Sequence, residues 1–339
     1  MTKIKQKAAK TIKSVNINQS KIKKKLKSSH SKSKTQIKSI KKNLKLTELT
    51  SSKASTQAYS DISGTTTPSI KSKEDFLQYY QSEEKKTLQV YGREMLKYGE
   101  SLEQKEPIPF EFLNKHKIPF EIRASMIQYI SELLNKVKTE DQTFFLTVYI
   151  IDSYLSKTTN IVNEKEFFFI SFTCLYIASK MESLRPFTIA DVISLCNTTV
   201  HIEYTENDVF KKEKEIINTL QFNLMCFSSY DFMKTFICDF KANNAERIEL
   251  MNAEKSIQLL ETKCTEILKV SLMQVHFYNY DRSLIAIAAL IVSFDLLCTE
   301  KKFTKSISYF LHFFINSLIK LSEDSKETII KIYTELKER

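Results

Sequence analysis

Glycine is nearly missing from this chain of 339 residues. Only three occur, Gly64, Gly92 and Gly99, where an average usage of roughly 7% would give about two dozen. Phosphate-binding loops, dinucleotide-binding fingerprints and nucleophile elbows all need glycine where the backbone bends sharply or approaches a ligand. The composition therefore excludes these sites. It also argues against all-β folds, which need many tight turns.

Proline is also scarce, and the last of the five prolines is Pro186. Residues 187–339 therefore contain neither of the two residue types that most often shape turns. A run of helices joined by polar turns is the architecture that such a sequence favours.

Acidic residues are almost absent from the first 60 residues, which hold 17 Lys and a single acid, Glu48. The other 279 residues hold 34 basic and 39 acidic side chains, a net charge of −5, although the whole chain carries +11. Residues 1–70 contain too few apolar side chains to offset the entropy of ordering, so we expect a disordered tail. The main part of the chain is mildly acidic, which argues against specific nucleic-acid binding.

The tail contains one dense basic run, KIKKKLK. This run is either a nuclear import signal or a nonspecific contact to polyanions, and the simplest alternative is a solvated tail. Its charged members are Lys21, Lys23, Lys24, Lys25 and Lys27.

Metal-ligand spacing is missing as well. The six cysteines form no Cys-x-x-Cys pair and have no histidine at ligand spacing, so we expect no metal site and no cofactor. Reduced thiols in a helical core are typical of an intracellular protein, in the nucleus or the cytoplasm.

The N-terminus lacks the apolar core of a secretion signal. The longest apolar runs, 167–178 and 284–294, are too short to span a bilayer, so we expect no membrane contact.

Helical periodicity dominates the rest of the chain. It begins with one amphipathic segment over 73–103, which Pro107 and Pro109 end. Five helices follow over 120–136, 140–156, 163–181, 188–196 and 205–220, the last opened by a capping-box-like Thr-Glu-Asn-Asp. A second set of five is predicted over 230–240, 253–273, 280–297, 305–321 and 323–337. The third helix is the most apolar in each set, as expected of a central helix surrounded by the others.

These patterns predict an all-α protein with two tandem five-helix repeats. The expected divisions are a tail over 1–70, an N-terminal helix and linker over 71–115, and repeats over 116–227 and 228–339.

Four strings in the first repeat point to a known family. They are IRASMIQY at 122–129, VYIIDSYLS at 148–156, CLYIASKMESLRPF at 174–187 and EKEIINTLQFNL at 213–224. Together they resemble the cyclin box of the mitotic A/B-type cyclins, specifically over 120–226 and by helix order over 73–339. The resemblance implies an activating, non-enzymatic subunit of a cyclin-dependent Ser/Thr protein kinase that controls cell-cycle progression at G2/M.

Two structural residues follow from the resemblance. Arg123 and Asp152 match the family's buried ion pair between the first two helices, where a bidentate contact would fix the helix crossing. The alternative is two independent surface charges.

Two further residues are implied to bind the kinase, Lys180 and Glu213. The alternative for Lys180 is a lysine that merely favours the helix C-terminus. The run KKEKE offers two candidate glutamates. The family's nine-residue spacing to Phe222 selects Glu213 and leaves Glu215 as a solvated helix charge.

A substrate-docking groove is also implied, through which kinase substrates or inhibitors would bind. Ile122, Met126 and Tyr129 hold its apolar positions and Glu132 its acidic one. Phe168 and Asn197 stand where the family has Gln and Asp, which weakens the expected preference for a basic residue. A partly exposed core face is the alternative.

Other functions fit less well. A cyclin-box protein that serves a non-mitotic or transcriptional kinase, or that acts as a non-activating scaffold, is the main alternative. A nucleic-acid-binding factor of the TFIIB type would want a zinc ribbon, but no cysteine precedes Cys174. An enzyme would want a paired acid or cysteine beside a histidine, and the five histidines are scattered. No arginine precedes Arg93, so a destruction box in the tail is not expected.

Overall fold

The computed structural model describes residues 91–92, 94–103, 107–200 and 203–338. The predicted basic tail, its lysines at 21–27 and the first part of the predicted 73–103 helix lie outside these ranges. Within them, residues 94–103 are helical, as the periodicity predicts.

Five helices form the first repeat, in the predicted order. They are α1 (Phe120–Val137), α2 (Asp141–Lys157), α3 (Glu164–Glu182), α4 (Ile189–Val200) and α5 (Glu206–Thr219). Local signals set where they begin. Asn163 accepts a hydrogen bond from the Glu166 amide at the start of α3, and Thr205 forms a capping box with Asp208 at the start of α5.

Among the described residues, the second repeat contains six α-helices, one more than predicted. They are α6 (Ser229–Asn243), α7 (Ala245–Leu250), α8 (Glu254–Ser271), α9 (Arg282–Thr299), α10 (Lys305–Leu321) and α11 (Lys326–Lys337). The additional helix, α7, has six residues, which is too short for a helical period to show in the sequence. The all-α class with two tandem repeats is confirmed.

One central helix organises each repeat. α3 packs against α1, α2, α4 and α5, while α9 packs against α6, α8, α10 and α11. Twelve of the 19 residues of α3 and 11 of the 18 residues of α9 are buried. Their buried hydroxyls are satisfied within the helix. Ser171 donates to the Phe167 carbonyl at 2.7 Å and Ser293 to the Ala289 carbonyl at 2.6 Å.

The helix Arg282–Thr299 is longer than the apolar run that the sequence suggested. By length and hydropathy alone it could cross a membrane, with a mean hydropathy of 1.8 over 18 residues. Within the second repeat, 56% of that window is buried. The buried central helix of a globular domain meets the same criteria of length and hydropathy.

The helical segment 94–103 packs against the second repeat and against Phe227, which immediately precedes that repeat, and Gly99 explains the close approach. A Cβ at Gly99 would lie 2.5 Å from a ring carbon of Phe227, so only glycine permits this approach. One turn later, the Glu103 carboxylate accepts hydrogen bonds from the amide and the hydroxyl of Ser283, both at 3.1 Å. Arg282 lies 3.7 Å from the same carboxylate. Glu103 thus ties the segment to the start of α9.

Left-handed turn positions are filled without glycine. Lys138 after α1, Asn252 after α7 and Lys301 after α9 have φ of 56°, 49° and 54°. Two successive residues after α5, Gln221 and Phe222, have φ of 52° and 62°. Except at Asn252, whose residue type adopts this conformation more readily, each such residue bears a steric penalty of about 1–2 kcal/mol that glycine would avoid.

Candidate functional site

Lys180 and Glu213 lie side by side at the surface of the first repeat. Lys180 is in the last turn of α3 and Glu213 is near the middle of α5. The Lys180 ammonium donates to a Glu213 carboxylate oxygen as an ion pair, and the two side chains are 38% and 13% exposed. The packing of α3 against α5 therefore brings together two residues that are 33 positions apart.

An aromatic ring supports the ammonium from below. The Nζ of Lys180 lies 4.1 Å from the centroid of the Tyr176 ring, one helical turn earlier, within the range of a cation–π contact. The lysine is thus held at the surface with its charge balanced by Glu213. Together the pair offers an N–H donor and a carboxylate acceptor to any group that approaches.

Glu215 is not the solvated charge that the sequence suggested. Its carboxylate accepts a hydrogen bond of 2.5 Å from the Tyr154 hydroxyl and pairs with Lys212 at 2.8 Å. Partial burial acts to raise the pKa of Glu215, but the hydrogen bonds from Lys212 and Tyr154 outweigh it and lower the pKa. Glu215 therefore links α5 to α2, and Glu213 is the glutamate that contacts Lys180.

Arg123 and Asp152 meet in the interior between α1 and α2. The guanidinium is bidentate, with Nε 2.9 Å from Oδ1 and Nη2 2.5 Å from Oδ2, and both side chains are fully buried. Burial acts to lower the pKa of Arg123, but the Asp152 carboxylate outweighs it and raises the pKa. The arginine therefore stays charged, and the two helices are fixed by a charge-assisted pair.

This ion pair has partners in the second repeat that sequence reasoning missed. Nη1 of Arg123 donates to the Leu272 carbonyl at 2.9 Å, and the Tyr278 hydroxyl donates to Oδ2 of Asp152 at 2.5 Å. Burial and the Asp152 charge raise the pKa of Tyr278 well above its usual value, so the phenol stays protonated and donates. The pair joins the two repeats as well as two helices of one repeat.

The predicted docking groove is only partly at the surface. Ile122, Tyr129 and Glu132 are partly exposed, whereas Met126 is 1% exposed. Assigning Met126 to the groove surface was therefore wrong, because its position on α1 turns it into the core beneath. Tyr129 packs edge-on against Phe172, with ring centroids 6.0 Å apart.

Polar side chains of this face form hydrogen bonds with neighbouring residues of the first repeat. The Tyr129 hydroxyl is hydrogen-bonded to Thr199, and Glu132 accepts from the Gln128 amide at 3.2 Å. Phe168 is partly buried against the core. The buried Oδ1 of Asn197 has no hydrogen-bond partner among the described residues.

Exposed apolar side chains follow both Lys180 and Glu213 in the sequence. The family motifs did not predict a role for them. Met181 and Leu184 follow Lys180, and Phe222 and Met225 follow α5. Phe222 has a left-handed backbone, and its side chain is 76% exposed. The sequence feature that could have indicated them is an apolar residue just after a predicted helix end, and this feature is weak by itself.

No group of three metal-ligating side chains is found within the described ranges. Six free cysteines are present there, four of them buried. Burial raises the pKa of Cys196 and Cys226 to about 12 in each case, so both thiols stay protonated and unreactive at neutral pH.

Two family models match this chain in tandem. The N-terminal domain of cyclins matches residues 94–225, and the C-terminal domain of cyclins matches residues 228–337. The two matches together cover most of the chain and coincide with the two helical repeats. The chain therefore belongs to the cyclin family.

The relatives are B-type and A-type cyclins at low identity. Cyclin-B2-1 of Oryza sativa subsp. japonica is 27% identical over 217 residues, 64% of this chain and 47% of that protein. Cyclin-A1-4 of the same plant is 25% identical over 193 residues, 57% of this chain and 50% of that protein. G2/mitotic-specific cyclin-2 of Medicago sativa is 24% identical over 201 residues, 59% of this chain and 55% of that protein. The resemblance to A/B-type cyclins is confirmed, and the chain is a divergent member.

This chain spans about half the length of the curated relatives that it matches. Among solved structures, a viral cyclin from herpesvirus saimiri is similar, with a TM-score of 0.48 and 18% identity. That match covers 74% of this chain and 97% of the viral chain.

Proposed function

We propose that this cyclin is the regulatory, activating subunit of a cyclin-dependent Ser/Thr protein kinase that acts in cell-cycle progression at G2/M. Membership of the cyclin family supports the kinase partner, and the B-type and G2/mitotic-specific relatives support the phase. The chain acts by binding, and the kinase carries out the chemistry.

The observation that carries the proposal is the Lys180–Glu213 pair. Two opposite charges are held together at the surface by separate helices, with Tyr176 beneath the ammonium. In the free protein the two groups satisfy each other. At an interface the lysine donates to exposed carbonyls and the carboxylate accepts from exposed amides of the kinase's regulatory helix and its surroundings.

The mechanism is a shift between conformations that the kinase already samples. A ligand changes such an equilibrium only by its difference in affinity for the two states. The pair and the exposed apolar side chains that follow it in the sequence, Met181 and Phe222, bind the regulatory helix in its active placement. Complex formation therefore favours the active kinase.

The test is association and activity together. The full chain is purified with its cyclin-dependent kinase, and binding and histone-type phosphorylation are measured for wild type, Lys180→Ala and Glu213→Ala. Each truncation is expected to weaken association by about 2–5 kcal/mol, because a charge desolvated at an interface loses its partner. Lys214→Ala, an exposed neighbour on α5, is the control. Unchanged association in both variants overturns the assignment.

We also propose that the face of Ile122, Tyr129 and Glu132 binds substrates or inhibitors of the kinase. An apolar edge beside one carboxylate suits a short hydrophobic motif with a basic neighbour. Phosphorylation of a motif-bearing substrate should drop in Glu132→Lys, whereas a substrate without the motif should be phosphorylated as before. An equal drop for both substrates contradicts this role.

For location we propose nuclear import through Lys21, Lys23, Lys24, Lys25 and Lys27. Replacing these lysines by serine should move a fluorescent fusion of the full chain from the nucleus to the cytoplasm. A fusion that stays nuclear rejects the assignment.

A further inference from the structure

The second repeat carries an apolar groove that no part of the proposed kinase contact uses. It has a volume of about 770 Å³ and lies between the end of α7 and the first turns of α10, within the range of roughly 300–1,000 Å³ typical of ligand sites. Its lining consists of Arg247, Leu250, Met251, Lys305, Ser306, Tyr309, Phe310 and Phe313.

The walls of this groove expose large apolar side chains that do not serve the core. Leu250 is 86% exposed and Tyr309 is 80% exposed, and Phe313 is exposed beside them. α10 already has a complete buried face, on which Phe310 and Phe314 pack against Phe240. An outer helix face is normally polar. The exposed rings of α10 therefore contribute little to the core, and exposed apolar clusters of this kind are typical of interaction surfaces.

The spacing of these residues places them in two rows. Lys305, Tyr309 and Phe313 succeed each other at four-residue steps along one face of α10. On α7, Arg247 and Leu250 are one turn apart. Each row therefore offers a cation followed by apolar groups, which is a pattern suited to an amphipathic segment of another protein.

The charge of the groove has one sign. Arg247 and Lys305 are its charged lining residues, and no acid lines it among the residues that the structure describes. Glu246 and Glu249 of α7 are exposed outside the lining. α10 also begins at the groove, so its free amides add partial positive charge there.

We propose that this groove is a docking site for an acidic, hydrophobic peptide segment of a partner protein. Aliphatic or aromatic anchors of the peptide pack between Leu250 and Tyr309. Its carboxylates pair with Arg247 and Lys305, which select the sign of the ligand's charge. The site lies on α7 and α10, whereas the proposed kinase contact lies on α3 and α5, so the two proposals stand or fall separately.

The test uses a displayed library of random 12-residue peptides selected on the full chain. Three variants are compared with wild type: Leu250→Ser with Tyr309→Ser, Arg247→Glu with Lys305→Glu, and Ile161→Ser. The last variant is the control, because Ile161 is an exposed apolar residue of the first repeat. All substituted side chains are at the surface, and equal thermal unfolding of the variants verifies that they fold.

The expected result is enrichment of peptides that combine acidic and large apolar residues. Their affinity, measured by fluorescence polarisation, should fall about tenfold or more in the first two variants, as for a central interface residue, and stay unchanged in the control. The charge-reversed variant should select basic peptides instead. The proposal is overturned by no enrichment, by peptides without acids, or by binding that survives both groove variants. A wild-type dimer that Tyr309→Ser dissociates also overturns it, since a second copy would then fill the groove.

Discussion

The hydroxyl of Tyr278 donates a hydrogen bond of 2.5 Å to Oδ2 of Asp152, across the boundary between the two repeats. The same carboxylate accepts from Arg123, whose remaining nitrogen reaches the Leu272 carbonyl. A fully buried ion pair is costly unless its remaining groups are satisfied. The second repeat therefore completes the polar core of the first, and the stability of the two repeats is coupled at this point.

Removing only the phenolic oxygen should reveal this coupling. Tyr278→Phe keeps the ring and its edge-on contact with Phe112, whose centroid lies 5.9 Å away. The carboxylate loses one charge-assisted hydrogen bond, so the free energy of unfolding should fall by about 1.5–3 kcal/mol in urea titrations.

Tyr280→Phe is the matched control. Its hydroxyl donates to Glu335 at 2.9 Å at a partly exposed site, so water replaces the lost donor. The expected loss is below about 1 kcal/mol. Equal losses in the two variants would show that the Asp152 contact is not special.

The fold was predictable from sequence because its main determinants are local. The apolar periods of α3 and α9, Pro119 before α1 and the Thr205 cap each act within a few residues. The roles of Tyr278 and Leu272 were not predictable, since they lie 126 and 149 residues from Asp152 and Arg123, which they contact. The burial of Met126 depends on how α1 is rotated against its neighbours, and the role of Glu215 depends on its partner Tyr154 on another helix. Helical periodicity alone predicts neither feature.

The near absence of glycine leaves strain that one substitution can relieve. Lys138 ends α1 with φ 56° and ψ 51°, where a lysine bears about 1–2 kcal/mol of steric penalty. Lys138→Gly removes this penalty but gains up to about 1 kcal/mol of chain entropy in the unfolded state. The net expectation is an increase of about 0.5 kcal/mol in the free energy of unfolding.

The control for this substitution lies two residues earlier. Lys136 is exposed in the last turn of α1, in ordinary helical conformation. Lys136→Gly should destabilise the protein by about 0.5–1 kcal/mol. If urea titrations show that the free energy of unfolding rises in Lys138→Gly and falls in Lys136→Gly, the left-handed backbone is the cause. A fall in both variants contradicts this explanation.

Glu103 should make stability depend on pH. Burial raises the pKa of this carboxyl, although hydrogen bonds from Ser283 and the nearby Arg282 act to lower it. A folded pKa above the unfolded one means that the folded state holds the proton more tightly. The contribution of Glu103 is therefore complete at low pH and is lost as the pH rises through the folded pKa.

Glu103→Gln removes this titration while keeping an acceptor for the Ser283 amide. The free energy of unfolding of the variant, relative to wild type, should increase as the pH rises above the ordinary titration range of a glutamate. Glu100→Gln, at an exposed position on the same segment, is the control. If the difference in free energy of unfolding between Glu103→Gln and wild type does not vary with pH, Glu103 is not the source of the pH dependence.

The Lys180–Glu213 pair allows an experiment that separates recognition from stability. Exchanging the two residues, as Lys180→Glu with Glu213→Lys, retains an ion pair between α3 and α5 but reverses the charges that the surface presents. Surface ion pairs contribute only about 0–1 kcal/mol, so thermal unfolding should change little.

Kinase association should respond very differently to the exchange. In the proposed contact, each reversed charge would meet backbone groups of the wrong sense, and like charges or dipoles brought together cost several kcal/mol at an interface. We therefore expect binding to fall at least as far as in Lys180→Ala, and kinase activation to fall with it. The double exchange of Lys211→Glu with Glu206→Lys, at exposed positions of α5, should leave association unchanged. If the Lys180–Glu213 exchange binds the kinase as wild type does, the pair is a structural bridge between helices and the kinase contact lies elsewhere on the chain.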